Sequence, residues 1–275
     1  MQKFFPSACL LFFLFFASHA RLLALKPSRV YIAIPDTMRL PLEKNTITTP
    51  DNVHLKSWTF LPAKEIDNKT TLIMAYADAG NMSWWLSYAA IMSQVGYTVV
   101  LFDYRGFGES DDFPINPDML YYNEFTTDLS AVVKFAKEKY KTNKTGIWCF
   151  SMGSIITTLA AKTAMPDFII GDSYVTDPVA LKAFYAGKKE IALPSGASDY
   201  TRIISSLHMP MLVFSGTTDQ VTPQSSIKSL KEKIPSLQII SYEGGHLQAF
   251  NTLTDSAKYL GSGYVQAVYS FTSSQ

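Results

Sequence analysis

From residue 53 onward the chain alternates between short runs rich in apolar, β-branched and aromatic residues and longer stretches with helical spacing. Strands are predicted over residues 53–61, 70–77, 97–103, 145–150, 168–172, 209–215 and 237–242. Helices are predicted over 84–95, ended by Gly96, then over 125–140, 152–164 and about 225–234, with a last one inside 248–271. Strands that take turns with helices need crossover connections, and these are right-handed. The expected fold is therefore α/β, with a mostly parallel central sheet flanked by helices on both faces and a ligand site beyond the carboxyl ends of the strands. Residues 174–207 break the rhythm: they carry no clear strand but hold Gly187-Lys188-Lys189, Pro194 and Gly196. This segment reads as a small cap inserted between two strands.

With 275 residues, 47% of them hydrophobic, the chain can bury one large core. One domain over residues 21–275 is the expectation. Lys+Arg 24 against Asp+Glu 23 leaves a net charge of +1, so no global field favours nucleic acid, an anionic membrane or an acidic substrate. Residues 1–20 read as a signal peptide, with Lys3 before the apolar stretch 8–17 and then Ser18-His19-Ala20 for cleavage after Ala20. The predicted location is secreted or periplasmic. The alternative is an uncleaved anchor extended by residues 22–25, and only then is membrane contact expected. Cys9 would leave with the signal, so Cys149 would have no partner for a disulfide. Cys149 is expected to be a buried, inert thiol. Asn68, Asn81 and Asn143 begin glycosylation sequons, which matter only in a eukaryotic secretory pathway.

Cys149-Phe150-Ser151-Met152-Gly153-Ser154 falls where a buried strand must turn abruptly into a helix. That turn lifts a serine hydroxyl to the sheet edge and needs small residues two positions to either side. Gly153 meets the need on one side, whereas Cys149 stands in place of a glycine on the other. Ser151 is either a nucleophile or an ordinary helix cap. A nucleophilic serine needs a histidine base, oriented in turn by a carboxylate. His19 lies in the signal, His54 is placed mid-strand in an early hairpin, and His208 precedes a strand at its wrong end. His246, in Glu243-Gly244-Gly245-His246 after the last strand, is left as the base. Asp219 follows the strand 209–215 through Gly216-Thr217-Thr218 and is favoured as the orienting acid, with Asp172 and Asp177 as rivals. Asp177 has a second reading, as the cap of a helix leading into residues 174–207.

These residues resemble the α/β-hydrolase superfamily, and within it the esterase, lipase and serine-aminopeptidase-like members. Asp103-Tyr104-Arg105-Gly106-Phe107-Gly108-Glu109-Ser110 matches their D-x-R-G-x-G-x-S loop, and residues 216–223 are similar to their acid loop. The likeness spans about residues 53–250. It implies the fold, a Ser151–His246–Asp219 triad and hydrolysis of carboxylic esters through an acyl-enzyme, with no metal or cofactor. It also implies that Asp103 and Arg105 are structural. Family members place a His-Gly pair after the third strand; Tyr76 and Ala77 stand there instead, so the oxyanion is assigned to the backbone N–H groups of Met152 and Asp78. A pocket over Ser151 is expected from Phe184 and Tyr185 of the cap, with Trp84 and Trp85 as the other wall or, alternatively, as anchors of their helix. The expected partner is a small acyl ester of short or medium chain. Thioesterase, lipase or peptidase activity on the same triad, or a hydrolase-fold binding protein that has lost catalysis, remain alternatives.

Overall fold

The computed structural model describes residues 23–275; the predicted signal peptide and Cys9 lie outside the described residues. In chain order the elements are β1 (Lys26–Pro27), β2 (Leu42–Thr48), β3 (His54–Phe60), β4 (Thr70–Ala75), β5 (Ala79–Gly80), α1 (Leu86–Gln94), β6 (Tyr97–Phe102) and α2 (Glu124–Lys139). They continue as β7 (Lys144–Phe150), α3 (Met152–Ala164), β8 (Phe168–Asp172), α4 (Pro178–Phe184), α5 (Tyr200–Ile204), β9 (Met211–Gly216), α6 (Gln224–Lys233), β10 (Leu237–Tyr242), α7 (Ala249–Thr252) and α8 (Ser262–Ser273). Eight strands form one sheet in the order β10-β9-β8-β7-β4-β6-β3-β2. Pairing is parallel from β10 to β6 and antiparallel where β6 meets β3 and β3 meets β2.

The central strands β4, β6 and β9 are buried at every residue, as their unbroken apolar runs require of strands covered on both faces. Helices α2 and α3 pack together on one face. On the other, the β7 side chain Trp148 donates from Nε1 to Tyr264 Oη of α8 at 2.8 Å, and Phe214 of β9 stacks on Tyr264 with centroids 3.8 Å apart.

Several boundaries differ from those the pattern suggests: β4 ends at Ala75 and not at residue 77, and the last helix expected inside 248–271 is two, Ala249–Thr252 and Ser262–Ser273. The first turn of the helix expected from residue 84 is a 3-10 turn, Met82–Trp85, capped by the Asn81 side chain, and α1 begins only at Leu86. The strand expected from residue 209 begins at Met211, after Pro210, which has no N–H to give a ladder. His54 opens β3 rather than sitting in its middle, and its ring pairs with Asp111 at 2.9 Å. Cys149 is fully buried, and burial pushes its thiol well above the usual range.

The loop after β6 is held by buried charge. Asp103 accepts from Tyr31 Oη at 2.7 Å, Tyr76 Oη at 3.0 Å and the Met82 N–H at 2.7 Å. Arg105 donates from Nε and Nη2 to one Asp128 oxygen, at 2.9 and 2.7 Å, while its backbone N–H reaches the other oxygen at 3.0 Å. Its second fork edge grips Asp51 at 2.7 and 3.1 Å. One guanidinium thereby ties the β2–β3 turn and α2 to the loop that follows β6. Removing one partner of a buried ion pair strands the other charge, so Asp128→Ala is expected to destabilise the fold by about 3–5 kcal/mol. A urea unfolding midpoint unchanged from wild type would contradict this.

Candidate active site

Ser151 stands between β7 and α3 with φ 48° and ψ −116°, a backbone conformation that costs a non-glycine residue energy and that its surroundings must enforce. Its N–H donates to the Asp172 carbonyl at 3.2 Å. The enforcement comes from α3 crossing close to β4: a Cβ built on Gly153 would lie 1.9 Å from the Ala75 carbonyl oxygen and 2.7 Å from that of Tyr76. Glycine is therefore required at 153. Two residues before the serine, Cys149 is accommodated because its register partner on β8 is Gly171, over which the Tyr174 ring lies.

His246 Nε2 lies 2.9 Å from Ser151 Oγ, and His246 Nδ1 lies 2.9 Å from Asp219 Oδ2. The three side chains come from the ends of β7, β9 and β10, at the carboxyl edge of the sheet. The Asp219 side chain is fully buried and that of His246 is 23% exposed, so the imidazole bridges the interior and the entrance. Burial alone would raise the Asp219 carboxyl, but the hydrogen bond and charge of His246, with further bonds from Thr222, outweigh it and hold the group down at about 2. Its Oδ1 accepts from the Val221 and Thr222 N–H groups at 2.8 and 2.9 Å, and its Oδ2 accepts from Thr222 Oγ1 at 2.6 Å. Asp177, a rival acid, caps α4 through the Val179 and Ala180 N–H groups.

Met152 opens α3, where a backbone N–H has no partner within the helix. Asp78 lies between β4 and β5 and gives its carbonyl to the Lys26 N–H at 2.8 Å. The Asp78 carboxylate acts on Tyr185 and Lys189 of the cap. Tyr185 is raised by burial, then by Asp78 and Asp219; Lys189 is lowered by burial against the pull of Asp78, with Lys26 adding to the lowering. Half-buried Lys189 sits over the Tyr185 ring, 5.0 Å from its centroid, so it is not left wholly in water as a surface lysine would be.

The two tryptophans part company. Trp84 is 51% exposed and lies against Gly80, whereas Trp85 packs on Phe150, Tyr88 and Tyr76 at centroid distances of 4.5, 5.4 and 6.4 Å. Phe184 helps line a cavity of about 130 Å³ with Val175, Val221 and Thr222, directly beside the Asp219 loop. The cap is tied to α3 at its first residue and at α5: Thr158 Oγ1 bonds Tyr174 Oη at 2.7 Å and Tyr200 Oη at 2.9 Å. Among the described residues no cluster of side chains could hold a metal ion.

The sheet order, the crossover helices and this placement of serine, acid and histidine loops characterise one architecture. The chain has the α/β-hydrolase fold. Residues 79–171 match the model of the serine aminopeptidase family S33, about a third of the chain. The hydrolase fold is shared with an esterase of Pyrococcus furiosus at TM-score 0.68 and 21% identity, over 90% of this chain and 98% of that one. An esterase of Thermogutta terrifontis superposes at TM-score 0.61 and 15% identity, over 84% and 98%. Among curated sequences, the protein bem46 of Schizosaccharomyces pombe is 23% identical over 261 residues, 89% of this chain and 81% of its own. YfhR of Salmonella typhi is 23% identical over 228 residues, 76% of each chain.

Pattern reading overlooked Thr222, Ser173 and Tyr242, all of which bond to the loops that carry the site. Only Thr222 had a local signal, being three residues after Asp219 where a side-chain-capped turn needs a hydroxyl. Asp172, the other rival acid, is buried below the site and pushed up to about 8 by burial, opposed by the Ser173 hydroxyl and reinforced by Asp219. An acid raised on folding binds more protons folded than unfolded between about pH 4 and about 8, so its presence makes stability fall as pH rises through that window. The Tm of Asp172→Asn relative to wild type should accordingly move in the variant's favour from pH 4 to pH 8. A pH-independent difference would refute this.

Proposed function

We propose that this chain is a serine hydrolase that cleaves carboxylic esters through an acyl-enzyme. One observation carries the reading: the unbroken hydrogen-bonded chain Ser151 Oγ–His246 Nε2 and His246 Nδ1–Asp219 Oδ2, each step 2.9 Å long. His246 Nε2 takes the Ser151 proton as Oγ attacks the ester carbonyl, and Asp219, ionised at neutral pH, holds the imidazole and steadies the imidazolium that forms. The tetrahedral oxyanion is received by the N–H groups of Met152 and Asp78. Collapse breaks the C–O bond and His246 returns the proton to the departing alcohol. Water then repeats the sequence on the acyl-enzyme and frees the acid. The nearby esterase folds support the same chemistry, and the attraction between Asp78 and Lys189 reduces the opposition of Asp78 to the developing charge.

The substrate is a small acyl ester held under Phe184 and Tyr185. The shortness of the cap, residues 174–207, supports short or medium chains; the cavity of about 130 Å³ beside Phe184 is lined by neither Ser151 nor His246 and sets no chain length. Residues 1–20 support export, with membrane anchoring by the same segment as the alternative.

Ser151→Ala and His246→Ala should each lower kcat by about 10⁶-fold, since the pair acts as a unit. Asp219→Asn should cost about 10⁴-fold. Undiminished turnover of a nitrophenyl ester by purified Ser151→Ala protein would overturn the assignment of the nucleophile, whereas a wild type that neither turns over the ester nor is labelled by a fluorophosphonate would leave a hydrolase-fold binding protein as the reading. Across straight-chain nitrophenyl esters from acetyl to palmitoyl, kcat/KM should peak at short or medium length. A monotonic rise to palmitoyl would instead indicate a lipase.

A further inference from the structure

Building on the assignment of His246 as the base, we propose that Ser173 and Tyr242 are positioning residues that clamp the histidine from both sides. The loop after β10 reads Glu243-Gly244-Gly245-His246-Leu247-Gln248. Two consecutive glycines leave its backbone free to turn through wide angles, which suits a chain leaving a strand but not a base that must meet Oγ within a few tenths of an ångström. The freedom is removed at the histidine itself. Tyr242 Oη donates to the Gly245 carbonyl at 2.8 Å, and Ser173 Oγ accepts from the Leu247 N–H at 2.8 Å. The Gly245 carbonyl belongs to the peptide plane before His246 and the Leu247 N–H to the plane after it. Since those two planes meet at the His246 Cα, holding both holds its φ and ψ, and with them the direction of the imidazole.

Ser173 is suited to the acceptor's part. It follows β8 with φ 55°, which turns its side chain out of the strand's alternation, and its own N–H is bonded to the Phe214 carbonyl at 3.3 Å. Its hydroxyl proton goes to the Asp172 Oδ1 at 3.3 Å, leaving a lone pair for Leu247. Asp172 is buried, so that bond is shielded from water. Leu247 has φ 58°, a conformation a leucine adopts at a cost, and the bond from its N–H to Ser173 fixes the peptide plane from which that turn departs. The clamp thus joins the ends of β8 and β10 across β9, which carries Asp219. All three strands then bear on one imidazole.

Three variants test this: Ser173→Gly, Tyr242→Phe and their combination. Glycine adopts φ 55° without strain, so Ser173→Gly removes the hydroxyl and leaves the backbone conformation allowed. For a nitrophenyl ester, each single variant should lower kcat by about 10- to 100-fold with little change in KM, the cost expected of a base displaced by up to about 1 Å. Fluorophosphonate labelling of Ser151 should slow by the same factor. The downfield NMR resonance of the His246 Nδ1 proton, shared with Asp219, should broaden or vanish in the double variant. Wild-type kcat and labelling rate in both single variants, whatever their melting temperatures, would overturn the proposal and leave these bonds as ordinary loop supports. A wild-type protein that neither turns over esters nor reacts with the probe would fail the esterase reading separately. The imidazole resonance would still decide the clamp, and its persistence in the double variant would overturn it.

Discussion

Everything at the site depends on one close approach, that of Gly153 to the end of β4. Because α3 runs so near the strand, the chain at Ser151 has no ordinary conformation open to it and is forced to positive φ. That strain is what places a hydroxyl above the sheet instead of against it. The energy it requires is supplied by burial on both sides of the turn, where β7 is apolar from Gly146 through Phe150 and α3 is buried from Met152 through Thr158. A side chain larger than hydrogen at 153 would separate α3 from β4, lower the serine and shift the loop that begins at Tyr76.

A second layer of structure keeps the site's loops from wandering, and it is polar. Asp103 holds Tyr76 and Met82 at the two ends of the loop that carries Asp78, and Arg105 anchors the neighbouring turn to Asp128 and Asp51. Buried carboxylates in a hydrocarbon core are costly unless their oxygens are occupied, and here each oxygen of Asp103 and Asp128 is. The cost is visible in Asp103, which burial raises to about 6 despite three donors. Such networks rigidify loops that would otherwise be the most mobile parts of an α/β sheet.

How far the sequence reveals this is a matter of range. The predicted ends of β8 and β10 and both ends of α3 coincide with the observed ones, because an unbroken apolar run or a helical period bounded by turn residues is local information. The meeting of Ser151, Asp219 and His246 was legible for a related reason: each follows a strand recognisable by itself, and parallel strands bring their carboxyl ends together. β2 escaped notice because, as an edge strand, it alternates Glu43, Asn45 and the buried Ile47 with outward polar residues and has no apolar run. The short helix α4 was signalled only by its Asp177 cap, and α5 escaped because it has less than two full periods. The different fates of Trp84 and Trp85 depend on a 3-10 turn that rotates the pair relative to an α-helix, and propensity does not announce it. Ser173 belongs to the same class, since its contact joins residues 74 positions apart, whereas Tyr242 reaches only three residues along, to a glycine loop that has no regular period.

The threonine at 158 gives the cap a property of another kind. Its hydroxyl meets Tyr174, where the segment begins, and Tyr200, where it returns to α3 through α5, so both are held at one point on α3. Between these posts a Cβ at Gly187 or Gly196 would meet open space, while Ala192 between them is bonded through its N–H to the Asp118 carbonyl and through its carbonyl to the Leu120 N–H. Lengthening such a loop costs little, about 0.6 kcal/mol for each doubling. The turns at Gly187 and Gly196 can therefore be lengthened by evolution, or by grafting in the laboratory, while the serine, acid and histidine loops stay in register, which makes them the part of the cap most open to change.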